Sequence, residues 1–286
     1  MKWEDSLVSY RTQRSFDPKL WIDEKCKKFN DYLVTHGISG AVLSVSGGVD
    51  SAVTLALLVH TMSLSNSNLK KICAVNQPIH SSGWAYNRAK ELCDKFGVEM
   101  VTIDQTETHK ELIGLVNKSC NYTGTVFSDG QLRSYMRTPI NYYLSQLQSE
   151  SGFPSVVMGT GNADEDGYLA YYCKYGDGAV DVQLINDLHK SEVFKVGKYL
   201  GVPESILTAP PSADLWENQE DEKELGFSYD FIELFTGYFL KLDPNNQEKM
   251  IDSLDKDSKE EFLKNKEACE KVHMRNLHKI NGVVNI

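Results

Sequence analysis

No stretch of this 286-residue chain is apolar for long enough to cross a bilayer, and Met1-Lys2-Trp3-Glu4-Asp5 opens it without an apolar signal region. Those two absences point to a cytoplasmic protein with no membrane partner. Basic charge is short as well. Acidic groups exceed basic ones by ten, with a pI near 5.2, a poor balance for gripping nucleic-acid phosphates, so no nucleic-acid partner is expected. Cysteine is sparse: the six, at 26, 73, 93, 120, 173 and 269, form no Cys-x-x-Cys pair. That argues against a zinc ribbon or a redox couple and for incidental thiols in a reducing compartment. Two common nucleotide fingerprints are missing too, Gly-x-x-x-x-Gly-Lys-Ser/Thr and Gly-x-Gly-x-x-Gly.

What the chain does carry is Leu43-Ser44-Val45-Ser46-Gly47-Gly48-Val49-Asp50-Ser51. The apolar run Ile38–Val45 predicts a buried strand. It breaks at two glycines and resumes as a helical apolar pattern through Val53, Leu55, Ala56, Leu57 and Leu58. Strand, glycine turn and helix bring backbone N–H groups and a helix N-terminus toward an anion, and Ser46 and Ser51 add hydroxyls. Asp50 would repel a phosphate unless a cation lay between them, which points to a nucleotide carried with Mg²⁺.

Alternating segments follow. The pattern predicts a helix over 19–35 before the first strand, and one to about Met62 after the glycine turn. It then predicts strands at Lys71–Asn76, Val98–Asp104 and Pro154–Met158, and helices at Trp84–Phe96, Glu107–Asn117 and Ser128–Gln148. Ala179–Leu184 reads as a strand, Lys190–Leu200 as a helix, and Glu248–Glu270 as mostly helical. The alternation implies an α/β fold, a doubly wound, mostly parallel sheet with helices on both faces. Ligands in such folds bind at the carboxyl ends of the strands, where the glycine turn lies.

Three further clusters carry chemistry. Met158-Gly-Thr160-Gly-Asn-Ala-Asp-Glu165 follows a strand, and Glu165 with Asp50 would complete an oxygen-rich Mg²⁺ site; helix capping alone accounts for Asp164 and Asp166. In Lys174-Tyr-Gly-Asp177-Gly-Ala-Val-Asp181 the glycines present Asp177. Lys190 stands at the start of a helix, where the dipole disfavours a cation unless an anion is near. Arg133 and Arg137, four apart, share a helix face that suits a polyphosphate, a carboxylate, or acids across a subunit interface.

Taken together, these segments resemble ammonia-dependent NAD synthetase of the ATP-pyrophosphatase group. The matching stretches are Ser46-Gly-Gly-Val-Asp-Ser51, Arg133 with Arg137-Thr-Pro139, Gly159–Glu165, Lys174–Asp181, Lys190, and Pro210-Pro-Ser-Ala-Asp-Leu215 with Gln219–Gly226. They cover roughly residues 20 to 240 in the family's order. The first motif is shared with GMP synthetase, asparagine synthetase and tRNA-modifying enzymes; the Lys-Tyr-Gly-Asp-Gly and Pro-Ser-Ala-Asp-Leu segments are more particular.

The resemblance implies an adenine nucleotide alpha-hydrolase-like fold and ATP-dependent amidation of deamido-NAD by ammonia through an adenylated nicotinate carboxylate, releasing pyrophosphate and then AMP. It implies ATP contacts from Ser46, Gly47, Gly48, Val49, Asp50, Ser51, Arg137, Thr160, Lys190 and Ser212. Arg133, Lys174, Asp177 and Asp181 would serve deamido-NAD, and Asp50 and Glu165 would hold Mg²⁺. No covalent nucleophile is required. The family is homodimeric, and Tyr135, Met136, Ile140, Tyr142, Tyr143, Leu144 and Leu147 crowd one helical segment more densely than a single core stripe needs.

Two departures from the family pattern stand out. One extra residue falls between Glu165 and Lys174, and the usual His-Lys-Arg tail before a proline is replaced by His273-Met-Arg275-Asn-Leu-His-Lys279, whose histidines read as surface groups. Only 45 residues precede Ser46, too few for a glutaminase domain, so free ammonia is the expected nitrogen source. A single domain spanning 1–286 is expected, with an acidic lid loop at 211–228 and a helical C-terminal extension at 244–286. A tRNA-modifying adenylase would want a basic patch and paired cysteines. A nucleotide sensor without turnover would have no need of Glu165, Asp177 and Asp181 together.

Overall fold

The computed structural model describes residues 1–210, 221–280 and 282–283. Two helices, α1 (Trp3–Arg14) and α2 (Pro18–His36), precede β1 (Gly40–Ser44). There follow α3 (Val49–Ser63), β2 (Lys71–Asn76), α4 (Gly83–Phe96), β3 (Met100–Thr102), α5 (Thr106–Cys120), α6 (Val126–Glu150) and β4 (Ser155–Gly159). After a single π-helical turn at Ala163–Tyr168 come β5 (Val182–Gln183), α7 (Lys190–Leu200), α8 (Glu204–Leu207), α9 (Asp221–Leu225) and α10 (Tyr229–Gly237). The helices α11 (Pro244–Ser253) and α12 (Lys256–Ile280) follow.

The five strands are all parallel, in the order β3-β2-β1-β4-β5. The first strand is therefore central, flanked on one side by strands that follow it directly and on the other by strands reached after α6. Its side chains alternate: Ala41 and Leu43 join the main core, together with Ala74, Val156 and Met158 of the neighbouring strands and residues of α2, α3, α4 and α7. The intervening Val42 and Val157 are buried on the opposite face, which α6 covers. Every residue from Ser51 to Leu58 is buried, so α3 is a central helix rather than an amphipathic one.

A second core lies apart from the sheet. Trp3, Leu7 and Tyr10 of α1 meet Phe231 and Phe235 of α10 and Phe262 of α12, with Phe239 and Met250 between them. The expected helical extension beginning at 244 carries α11 and α12, which pack in a helical layer that also takes in α1 and α10. Part of the expected lid loop lies within the described residues. Within it, Asp221–Leu225 is helical with Asp221 and Leu225 buried, while residues 211–220, including Ser212, lie outside the described residues.

Candidate active site

The glycine turn folds as its sequence demands. Gly47 has φ +84°, and a Cβ there would come within 2.4 Å of the Ala85 carbonyl oxygen on α4. Only glycine meets both conditions without strain. Gly47→Ala should therefore cost on the order of 1–3 kcal/mol in stability and displace the loop, read together as a lower melting temperature and slower turnover. The serines brace the same turn. Ser51 Oγ lies 3.1 Å from Ser46 Oγ and donates to the Gly48 carbonyl at 3.1 Å, while the Gly48 N–H donates to Ser46 Oγ at 3.3 Å.

This turn forms one wall of a cavity of about 970 Å³ at the carboxyl ends of β1 and β2. Across it stand Thr160 and Glu165 after β4, Asp177, Lys190 at the start of α7, and Arg275 to Lys279 of α12 in part. Arg137 lines it from α6 and donates through Nε to the Gln77 carbonyl at 3.2 Å.

At the centre is a charge cluster. Lys190 is 4% exposed, and its Nζ donates at 2.7 Å to both Asp50 and Glu165. Burial works against that ammonium, but the two carboxylates hold it above the ordinary lysine range. The anion that a lysine at a helix N-terminus calls for is thus supplied by two side chains. Asn162 donates to the other Asp50 oxygen at 2.9 Å, and its carbonyl oxygen accepts the Asp164 and Glu165 N–H groups. The Tyr229 hydroxyl reaches Glu165 at 2.5 Å and Asp221 at 3.1 Å. Burial tends to raise the Glu165 pKa, but Lys190 and Tyr229 outweigh it and hold the group below the usual range. For Asp50, desolvation wins and the shift is upward. Asp221, desolvated and facing Glu165, is pushed up to about 6.

The oxygen donor set suits Mg²⁺. Two carboxylates already converge on one cationic nitrogen, and Mg²⁺ is commonly held by one or two carboxylates with phosphate and water completing the shell.

The site unites Ser46–Ser51, Arg137, Thr160, Glu165, Asp177 and Lys190 as the sequence suggested, and leaves others elsewhere. Asp177 accepts from the Cys173 N–H at 2.8 Å and from Ser134 Oγ at 3.1 Å. Asp181 instead lines a smaller polar cavity of about 330 Å³ with Asp166 and Gln183. Its carboxylate accepts from Val157 N–H and the Tyr142 hydroxyl, because β5 turns it toward β4 and α6. In that cavity desolvation, with the charges of Asp177 and Glu165, pushes Asp166 up to about 8, while Gln183 donates to its carboxylate at 2.7 Å. Lys174 does not line the larger cavity and donates to the carbonyls of His278 in α12 and of Gly282 just beyond it. Arg133, one turn before Arg137, does not line the cavity and lies near His80.

Some residues were missed. Tyr229 had no motif to mark it, while Asn162 and Asp221 stood within quoted runs without being singled out; the position of Asn162 two residues before Asp164 was the available signal for a cap. The tail contributes after all, through Arg275, Asn276, His278 and Lys279. His273 is half-buried rather than superficial, stacked on Tyr168 with ring centroids 4.0 Å apart. The segment 163–168 that follows Asn162 is kinked at Gly167, where φ is −71° and ψ −108°.

Comparison with known proteins agrees with this geometry. The NAD synthase family model matches residues 21–279. An NH(3)-dependent NAD(+) synthetase from Methanococcoides burtonii is 36% identical over 201 residues, 69% of this chain and 70% of that protein. Among solved structures, an NMN synthetase from Francisella tularensis superposes with a TM-score of 0.76 at 28% identity, covering 95% of this chain and 99% of the other. An NH3-dependent NAD synthetase from Campylobacter jejuni shares the fold, with a TM-score of 0.68 at 24% identity over 95% and 99% of the two chains.

Proposed function

Since the chain belongs to the NAD synthase family, we propose that it amidates deamido-NAD to NAD with ammonia, driven by ATP. The observation that carries this reading is the convergence of Asp50, Glu165 and Lys190 beside the Ser46–Ser51 turn. A carboxylate has no adequate leaving group until it is adenylated. The turn and the α3 N-terminus hold the ATP phosphates, with Lys190 and Arg137 as positive counterparts. The nicotinate carboxylate oxygen bonds to the α-phosphorus as the bond to pyrophosphate breaks. Ammonia then attacks the acyl carbon, AMP departs with the activated oxygen, and the excess proton leaves the nitrogen. Asp177 is the carboxylate placed to face the nicotinate end. Asp50 and Glu165 would hold Mg²⁺, which when bound supplies neutralising charge to the phosphates.

A second substrate is favoured by a specific pair of observations. The fold match to an NMN synthetase is strong, and Arg133 and Lys174, assigned to the dinucleotide, are not among the residues that line the cavity. Nicotinate mononucleotide offers the same carboxylate without the adenylyl half. Pyrophosphate release with ammonium and either substrate decides: kcat/KM higher for deamido-NAD supports the first reading, and higher for the mononucleotide supports the second. No release with either overturns both.

The homodimer is proposed on α6, where Tyr135, Tyr142, Tyr143 and Leu147 are exposed together. Sedimentation should give a dimer mass that Tyr143→Glu lowers to the monomer; a wild-type monomer at all concentrations would count against it. The six free thiols suit a cytoplasmic setting.

A further inference from the structure

The family match begins at residue 21, yet α1 lies before it and is tied to the active site. Tyr10 on α1 is buried, and its hydroxyl lies 3.1 Å from His189 Nε2. His189 Nδ1 lies 2.7 Å from Asp164 Oδ1, and the second oxygen of Asp164 accepts the Lys190 backbone N–H at 2.7 Å. One assignment of protons satisfies the whole line. The tyrosine O–H donates to Nε2, the ring donates from Nδ1, and the Asp164 carboxylate accepts that bond and the Lys190 N–H. His189 is 5% exposed and Asp164 0%, so water cannot replace a lost partner cheaply.

Independent features keep the line in place. Arg14 pairs with Glu192 at 2.5 Å, and Arg11 pairs with Glu233 at 2.6 Å, fastening α1 to α7 and α10. At the end of α10, Gly237 leaves the room the line needs. A Cβ there would stand 2.5 Å from the Tyr10 hydroxyl and 2.8 Å from His189 Nε2.

We infer that Tyr10, His189 and Asp164 are positioning residues for Lys190: through them α1 sets the backbone from which that lysine meets the ATP phosphates. The inference rests on the reading of Lys190 as an ATP-contacting group. Asp164 adds a second effect, since its own N–H is held by Asn162, which also fixes Asp50. The line therefore fixes the root of Lys190 and borders the residue that holds Asp50.

The test uses the full chain and steady-state kinetics with ammonium and the better acyl substrate. His189→Ala should lower kcat by about 10-fold and raise the KM for ATP, as small misplacement of a charged group does. The KM for the acyl substrate should not move. Tyr10→Phe, which removes only the outer bond, should show the same split at roughly a third of that size in fold terms, and Gly237→Ala, whose Cβ crowds both the Tyr10 hydroxyl and His189 Nε2, should show it at a size between the two. His189→Asn, whose amide N–H can still serve Asp164, should recover part of the His189→Ala loss. Leu33→Ala, fully buried in the main core just before β1 and outside the core that holds Tyr10, provides a variant of lowered melting temperature with unchanged kinetics. If Tyr10→Phe and Gly237→Ala lower the melting temperature but leave kcat and the ATP KM at wild-type values, the line is structural only and the inference falls. A failure of His189→Ala to fold leaves those two variants to decide. An inactive wild type would instead remove the underlying reading.

Discussion

Asp50→Asn is expected to reduce turnover by about 10³-fold or more, the scale of several kcal/mol of lost charge stabilisation at the phosphates. The substitution keeps the shape of the side chain. Asn162 still finds an acceptor, and Lys190 keeps Glu165, so the fold should survive with a loss of roughly 1–3 kcal/mol. Pyrophosphate release at saturating ATP measures the first effect and thermal melting the second. Turnover near the wild-type rate at ordinary Mg²⁺ would remove Asp50 from the metal site.

Lys190→Met should behave differently, losing both activity and a good deal of stability. Asp50 and Glu165, each 18% exposed, would be left facing one another without their cation. Removing one partner from a buried ion pair typically costs about 3–5 kcal/mol. The pH dependence has a definite sign. Without the ammonium, desolvation and mutual repulsion raise the folded pKa of the carboxylate pair above the unfolded values. Their contribution is then most favourable at acid pH and is lost as pH rises through the folded pKa, so the deficit against wild type should shrink as pH falls toward 4. Added Mg²⁺ should raise the melting temperature of Lys190→Met more than that of wild type, since it supplies the missing positive charge. A deficit unaffected by either pH or Mg²⁺ would show that the two carboxylates are not electrostatically coupled through Lys190.

The parts legible in the sequence are those whose information is local. Ser46–Ser51 is a contiguous turn whose glycines and serines brace one another, so the motif and the geometry are nearly the same statement. The strand Lys71–Asn76 and the helix Lys190–Leu200 were bounded as found, because periodicity and a glycine stop at Gly201 mark them. The charge anomaly of Lys190 was legible too, although its partners were not. What escaped is set by packing between distant segments. The first helix was not among the expected elements; what holds it, Glu233 and Glu192 against Arg11 and Arg14, comes from distant segments of the chain. Asp221 sits in an acidic run whose charge count predicts a solvated loop, yet Tyr229 reaches it, and desolvation raises its pKa so that burial is less costly. Asp181 and Lys174 share one motif with Asp177, but a loop and a short strand turn the three side chains toward three different neighbours.

The central position of β1 has a consequence in time. Gly40 pairs with Lys71 on one side and with Ser155 on the other, so one half of the sheet closes over a short stretch of chain and the other over a long one. Pairings far apart in sequence form late, because chain entropy is spent before contacts compensate it. Asp50 belongs to the early half, whereas Glu165 and Lys190 arrive only after β4 has docked. A refolding chain should therefore regain helical signal before it can bind nucleotide, and a nascent chain released short of residue 190 would hold the glycine turn but not the cation that neutralises it.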